Sequence, residues 1–438
     1  LNEPINEQPV QAQPVEAAPV APKSSAWKIV LITVFCCLLL VVMVAVVLVG
    51  SGMITFNGNV ETTTTEPTTT EPSLQQPADY KSYTVDAETA NAKASEVVAT
   101  IGNMQLTNGE LQVYYWMGIY EFISSNSYWL SYMGVDFSQP LDQQLYNPET
   151  GETWQEAMLE YALTTWHQYT AVGLQADEAG FVLDDAGQSY LQNLDADIAS
   201  QMSQYGYATL EEMLANEMGP GASAQGYKNY LSAGYYAIQY VTNMQNSIDP
   251  ALEDLEAYFT EHETEYTANG VTKDAGNVID VRHVLIMPEG GTTDENNVTT
   301  YSEDEWEACR VKAQQLLDDW KAADGDEVSF SVMAQEHSED GGSAANGGLY
   351  TNVTEGYMVE EFNDWIFDEG RLYGDTDLVK TQFGYHIMFF VKSEPSWLST
   401  ARSDYQADKI NAMIEGALEK WPLVTNYDAI VLGNAPNA

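Results

Sequence analysis

The sequence predicts an α+β protein: a small sheet wrapped by helices, inserted into an all-α domain and preceded by one membrane-spanning helix. Three observations predict it. Two stretches, "VIDVRHVLIM" (278–287) and "YHIMFFVK" (385–392), alternate their side chains with the period of a strand. Segments with helical spacing lie between this pair and on both sides of it. Near the start, "IVLITVFCCLLLVVMVAVVLV", Ile29 to Val49, is apolar except for Thr33 and reaches the roughly 20 residues that cross a bilayer core as a helix.

Composition sets the outer limits. Of 438 residues, 45% are hydrophobic and 11% aromatic, enough to build cores in two or three domains. Sixteen basic against 65 acidic residues give a formal charge of −49, which repels phosphate backbones and excludes nucleic acid as a natural partner. The same field attracts basic, unfolded chains. Cys36 and Cys37 fall in the apolar run and Cys309 stands alone, so no disulfide framework holds the soluble part. Cys309, among helix formers, reads as packing.

Taken in order, residues 1–26 are a Pro-, Gln- and Glu-rich tail with nothing to bury, expected to be disordered and cytoplasmic. Residues 27–50 hold the apolar run. Lys23 and Lys28 precede it and the next basic residue is Lys81, so the positive-inside bias places the N-terminus in the cytoplasm and the bulk outside the cell. No small-x-small site closes the run, which predicts an uncleaved signal anchor in a single-pass cell-membrane protein. Residues 51–95, with "ETTTTEPTTTEPSLQQPAD", read as an extended tether.

Residues 96–277 read as the helical domain. After a short apolar strand-like piece, Thr107 and Glu110 form a capping-box pattern. Helices are expected from Trp154 to about Gly180, Ala186 to Tyr205, Leu210 to Met218 (opened by Thr209 with Glu212) and Ala224 to Ile248, and another with Pro250 at its first position. The tyrosines of "YLSAGYYAIQYV" fit either an amphipathic core or an aromatic cradle for unfolded polypeptide. In residues 394–438, Ile410, Met413, Ile414 and Leu418 share one helix face until Pro422, and a lone terminal helix must pack back on earlier ones.

Residues 278–393 are the inserted domain. One face of its first strand carries Val281, His283, Leu285 and Met287; one face of its last carries His386, Met388, Phe390 and Lys392. Between them come a helix capped by Ser302 and Glu305 with a stripe of Trp306, Ala313, Leu316 and Trp320, a short helix around "SFSVMAQEH", a turn "SEDGGSAANGG", and a helix around "VEEFNDWIF". His337, at a helix end, reads as a capping charge. No zinc-type spacing links the histidines, and neither metal nor cofactor is expected.

The spacing of "VRHVLI", "MAQEHSEDGGSAANGG", "GYMVEEFNDWIF" and "VKTQFGYHIMFF" resembles the parvulin family of peptidyl-prolyl cis/trans isomerases, the PpiC-type rotamases. The whole layout is similar to PrsA-type extracellular foldases of Gram-positive bacteria and to SurA chaperones. The resemblance implies a four-stranded antiparallel sheet and a catalytic set of His283, Asp340, Thr381 and His386. It also implies an apolar wall of Met358 and Phe362 for the proline ring. Where many relatives read Gly-Gly-Asp-Leu-Gly, this chain reads Gly347-Gly348-Leu349-Tyr350-Thr351, so Tyr350 takes the place of the wall's leucine.

The implied chemistry breaks no bond. The barrier to rotation, about 18–20 kcal/mol, is lost amide resonance, so catalysis means favouring the twisted amide over both planar forms. Neutral imidazoles donate at one nitrogen and accept at the other, which makes a facing pair a buried polar link without a charge. The expected partners are unfolded or partly folded exported polypeptides with X-Pro bonds and, through the N-terminal helix, the membrane, with a homodimer left open. The rival reading is an inactive parvulin-fold holdase.

Overall fold

The two alternating stretches pair as neighbours in the sheet that organises the site. The structure is a computed structural model and describes residues 81–126, 130–294, 299–323 and 325–434. The tail, the apolar run and most of the tether expected before them lie outside the described residues. Among the described residues no helix is long and apolar enough to cross a membrane. These residues divide into two compact units, one comprising those up to Asn246 and from Ile410 on, the other Ser247–Lys409.

The first unit is built on helices Asn108–Ser125, Trp154–Glu178, Asp185–Tyr205, Leu210–Glu217 and most of Ala224–Ser247. Caps expected from the sequence are present: Thr107 Oγ1 accepts from Glu110 N at 3.3 Å and Thr209 Oγ1 from Glu212 N at 3.1 Å. The unit departs from the all-α expectation by carrying short strands. Val97–Ile101 pairs with Met104–Thr107 on one side and with Val424–Thr425 on the other. Residues 81–95, read as the end of the tether, form a strand Thr84–Val85 and a helix Ala87–Lys93 capped by Asp86. That strand pairs with Leu432–Gly433, a partner some 350 positions away that no local pattern announces. Of the tyrosines in "YLSAGYYAIQYV", Tyr230 and Tyr240 are buried, and Tyr230 meets Tyr114 edge-on at 4.9 Å, so these two serve the core.

In the second unit, after the helices Leu252–Glu261 and Glu263–Ala268, the main elements are β1 (Asn277–Ile286), α1 (Glu303–Ala322), α2 (Glu327–His337), β2 (Leu349–Val353), α3 (Glu360–Ile366), β3 (Thr376–Lys380), β4 (Tyr385–Pro395) and the first part of α4 (Ser396–Lys420). The strands form one antiparallel sheet in the order β3-β4-β1-β2. Both faces are covered. On one, Val284, Ile286, Ile387 and Phe389 pack against α1 and α2 through Ala313, Leu317, Trp320 and Phe330. On the other, Ile279, Val281, Met388 and Phe390 pack against Phe362, Trp365 and Ile366 of α3. Cys309 is buried on the first face, its thiol donating to Ile286 O.

One buried stripe and two helix starts differ from expectation. The buried stripe of α1 runs through Cys309, Ala313, Leu317 and Trp320, with Trp306 and Leu316 on its half-exposed flank. The helix expected to open on Pro250 is Leu252–Glu261, because Ala251 is extended and takes the cap position. Helix α4 begins at Ser396, before the apolar stripe around Ile410, since Trp397 and Ala401 already bury beside Phe259 and Tyr266.

Candidate active site

The two histidines come together because of sheet register. His283 on β1 lies opposite Met388 on β4, so His386, two residues earlier on β4, is its diagonal neighbour on the same face. The rings stack at 5.1 Å between centroids, and Nδ1 of one lies 3.0 Å from Nδ1 of the other. Both are buried, at 3% and 5% exposure. Strand β1 is fixed here from its other edge, where His283 N donates to Gly348 O at 2.8 Å. Gly348 has φ +72°, and a Cβ there would meet His283 O at 2.1 Å, so only glycine allows this approach.

Asp340 reaches the site from the turn after α2. That turn is tied to β1 at Leu285, whose N donates to Ser338 Oγ (3.1 Å) and whose carbonyl accepts from Glu339 N (2.9 Å). The Asp340 carboxylate Oδ2 then lies 3.0 Å from His283 Nε2, and Ser343 and Tyr350 hydroxyls donate to the same oxygen. At the other end, Thr381 sits in the turn between β3 and β4, its N donating to Gly384 O. Thr381 Oγ1 accepts from Phe383 N at 3.1 Å and lies 2.8 Å from His386 Nε2.

An ionised carboxylate only accepts, so His283 carries hydrogen on Nε2, and in its neutral tautomer it presents a bare Nδ1. His386 must then donate from Nδ1, which leaves its Nε2 to accept from the Thr381 hydroxyl. With His283 as that tautomer a one-directional chain results, from Thr381 through both rings to Asp340. Burial keeps His386 uncharged: desolvation is the chief cause that pushes it from its usual 6.5 down to about 3. The His283 hydrogen bond, with help from Ser343 and Tyr350, holds the Asp340 carboxyl well below the usual carboxylate range.

The apolar residues flank the same rings. Phe362 is buried, 2% exposed, and meets both imidazoles edge-on at 5.3 Å; Met358 and Tyr350 are half-buried beside its cluster. All seven residues singled out from the sequence therefore lie in this unit around the His283–His386 pair, with Met358 joined to it through the Phe362 cluster. Tyr350 differs in manner from an apolar wall: its ring stacks on His283 at 5.4 Å and its phenol donates to Asp340. Ser343, 1% exposed and 3.1 Å from His283 Nε2, was not anticipated. The signal was available in "SEDGGSAANGG", where a hydroxyl three positions after an aspartate can fold back onto it.

A family model described as PPIC-type PPIASE domain matches residues 267–392. Among curated proteins, the foldase protein PrsA of Exiguobacterium sibiricum is 46% identical over 59 residues, 14% of this chain and 19% of that protein. The chaperone SurA of Methylococcus capsulatus is 31% identical over 118 residues, 26% of this chain and 22% of that protein. The chain thus spans about a fifth of the length of these relatives. Among solved structures, PrsA from Bacillus subtilis aligns over 61% of this chain and 87% of its own at 19% identity, with a TM-score of 0.30.

Proposed function

We infer that this chain, whose residues 267–392 make a PPIC-type peptidyl-prolyl isomerase domain, is an extracytoplasmic foldase that interconverts cis and trans X-Pro bonds in exported proteins and binds them while unfolded. The observation that carries this reading is the continuous hydrogen-bonded chain from Thr381 through His386 and His283 to Asp340, beside Phe362 and Met358. A prolyl ring held against Phe362 stays fixed while the preceding carbonyl swings past the polar chain. Oriented dipoles and the fixed carboxylate favour the charge pattern of the twisted amide, and being held in place beforehand they need no reorganisation as it forms. Asp340 acts electrostatically, because no bond is made to the client.

Anchoring belongs to the same proposal. The apolar run Ile29–Val49, with lysines only on its N-terminal side, supports a single-pass cell-membrane protein with its bulk outside. In this reading residues 51–95 include the tether, the helical unit holds unfolded clients, and the C-terminal residues complete that unit.

Exchange NMR on a short X-Pro peptide tests the activity. The wild type is expected to accelerate exchange, and Asp340→Ala and His386→Ala to lower kcat/KM about 10²–10³-fold, the usual loss when one preorganised electrostatic group is removed. A wild type with no acceleration favours the second reading, an inactive parvulin-fold holdase. The Tyr350 ring packed on His283, where the parvulin resemblance implies a leucine, is the observation in that reading's favour.

A further inference from the structure

Tyr350 is joined to the polar chain at two points. Its phenol donates to Asp340 Oδ2 at 3.0 Å, and its ring lies over the His283 imidazole, 5.4 Å between centroids and 29° between planes. With His283 and Ser343, it makes Tyr350 the third donor on one carboxylate oxygen. A phenylalanine or leucine here would keep the apolar contact and leave that oxygen with two. The fold also makes room for the phenol. A Cβ at Gly342 would lie 2.9 Å from the Tyr350 hydroxyl oxygen, and Gly342 is not among the glycines with positive φ, so space and not backbone conformation asks for glycine there.

We propose that Tyr350 is a positioning residue for the isomerase reaction: with Gly342 clearing its path, its phenol and ring fix Asp340 and His283 in the arrangement that acts on the prolyl amide. The inference rests on the isomerase reading above. It departs from a role in the proline wall, because the polar tip of Tyr350 is spent on the carboxylate while Phe362 and Met358 supply the apolar contact. It also separates two consequences. A wall residue would act on substrate binding, whereas a positioning residue acts on turnover and on the protonation of Asp340. The sign is fixed by the donor: the phenol stabilises the ionised carboxylate, so removing it raises the pH at which Asp340 takes up a proton.

The test uses Tyr350→Phe, Tyr350→Leu and Gly342→Ala in the full chain, with exchange NMR on a short X-Pro peptide at pH 7 and carbon-13 titration of the Asp340 carboxyl from neutral pH to below its usual 3.8. Tyr350→Phe is expected to lower kcat about 5- to 10-fold with KM within about twofold, since a hydrogen bond to a charged group is lost while the ring stays. The Asp340 midpoint, held below the usual carboxylate range in the wild type, should move to higher pH. Gly342→Ala, which displaces the phenol, should follow Tyr350→Phe, and Tyr350→Leu should lose at least as much kcat although it restores the leucine that the parvulin resemblance implies. The proposal is overturned if Tyr350→Leu matches or exceeds the wild type, if the loss falls on KM alone, or if the Asp340 midpoint does not move in Tyr350→Phe. The carboxyl titration needs no turnover, so a wild type without isomerase activity would sink the functional reading while the fate of the Asp340 clamp is still decided.

Discussion

The two faces of the β3-β4-β1-β2 sheet use the same strands for opposite ends. Toward α1 and α2 the buried core is almost all hydrocarbon, with Phe389, Phe330 and Trp320 in successive edge and tilted ring contacts at 5.2–5.9 Å and the Arg282–Glu327 ion pair at its margin. Toward α3 the hydrocarbon of Val281, Met388 and Phe390 gives way to His283 and His386, as deeply buried as the residues around them. Strand alternation makes this division possible, since one residue's shift in sequence moves a side chain to the other face. It teaches that the candidate site occupies one face of a sheet whose other face is given over to packing against α1 and α2. The polar pair is tolerated because each ring nitrogen has a partner.

The largest effect should come from the hydrocarbon face. Phe389→Ala, 2% exposed and in contact with Phe330, Trp320 and Tyr373, is expected to cost about 3–5 kcal/mol in denaturant unfolding. The folded fraction should keep its kcat/KM; a selective loss of activity without loss of stability would break the division between faces.

The polar face should show a weakness in acid that the other face lacks. His386 stays neutral down to about 3 when folded, while in the unfolded chain it takes up a proton below its usual 6.5. The unfolded state therefore binds more protons between these values, so stability contributed here is present above about 6.5 and lost as pH falls toward 3. Asp340, depressed below its usual 3.8, adds a loss only below that value. In the first unit Glu110 is raised to about 7 by burial and acts with the opposite sign, so the curve for the whole chain mixes the two. Amide exchange in β1 and β4 isolates the sheet: protection should decline from pH 6.5 to 4 once intrinsic exchange rates are divided out. A flat profile would contradict the neutral, buried His386.

Smaller effects refine the picture. Thr381→Val removes the donor to His386 Nε2 and should cost about 1 kcal/mol of stability with a several-fold fall in kcat. Ser302→Ala, on the far cap of α1, should cost about 1 kcal/mol through the lost capping box and leave kcat unchanged. An activity loss from Ser302→Ala as large as that from Thr381→Val would show that the faces are not separable.

Much of the platform was legible because it follows local rules. Period-two alternation marked β1 and β4 and placed both histidines on one face; Ser302 with Glu305 and Thr209 with Glu212 marked helix starts. The two outer strands were supplied by resemblance alone, since "LYTNV" and "TDLVK" are short and poorly alternating, and β2 is further broken by a bulge. What stayed hidden depends on contacts distant in sequence. The pairing of Thr84–Val85 with Leu432–Gly433 has no local signature. At the site, Ser343 looked like a turn residue and Tyr350 like a substitution in an apolar wall, because the carboxylate they share is placed only when the turn docks on Leu285.

The most direct test is a nitrogen-15 spectrum of the histidine side chains at pH 7, assigned to His283 and His386. His386 is expected as a neutral ring with hydrogen on Nδ1, and His283 with hydrogen on the Nε2 that faces Asp340. An imidazolium at His386, or hydrogen on its Nε2 in place of Nδ1, would contradict the relay on which the account stands.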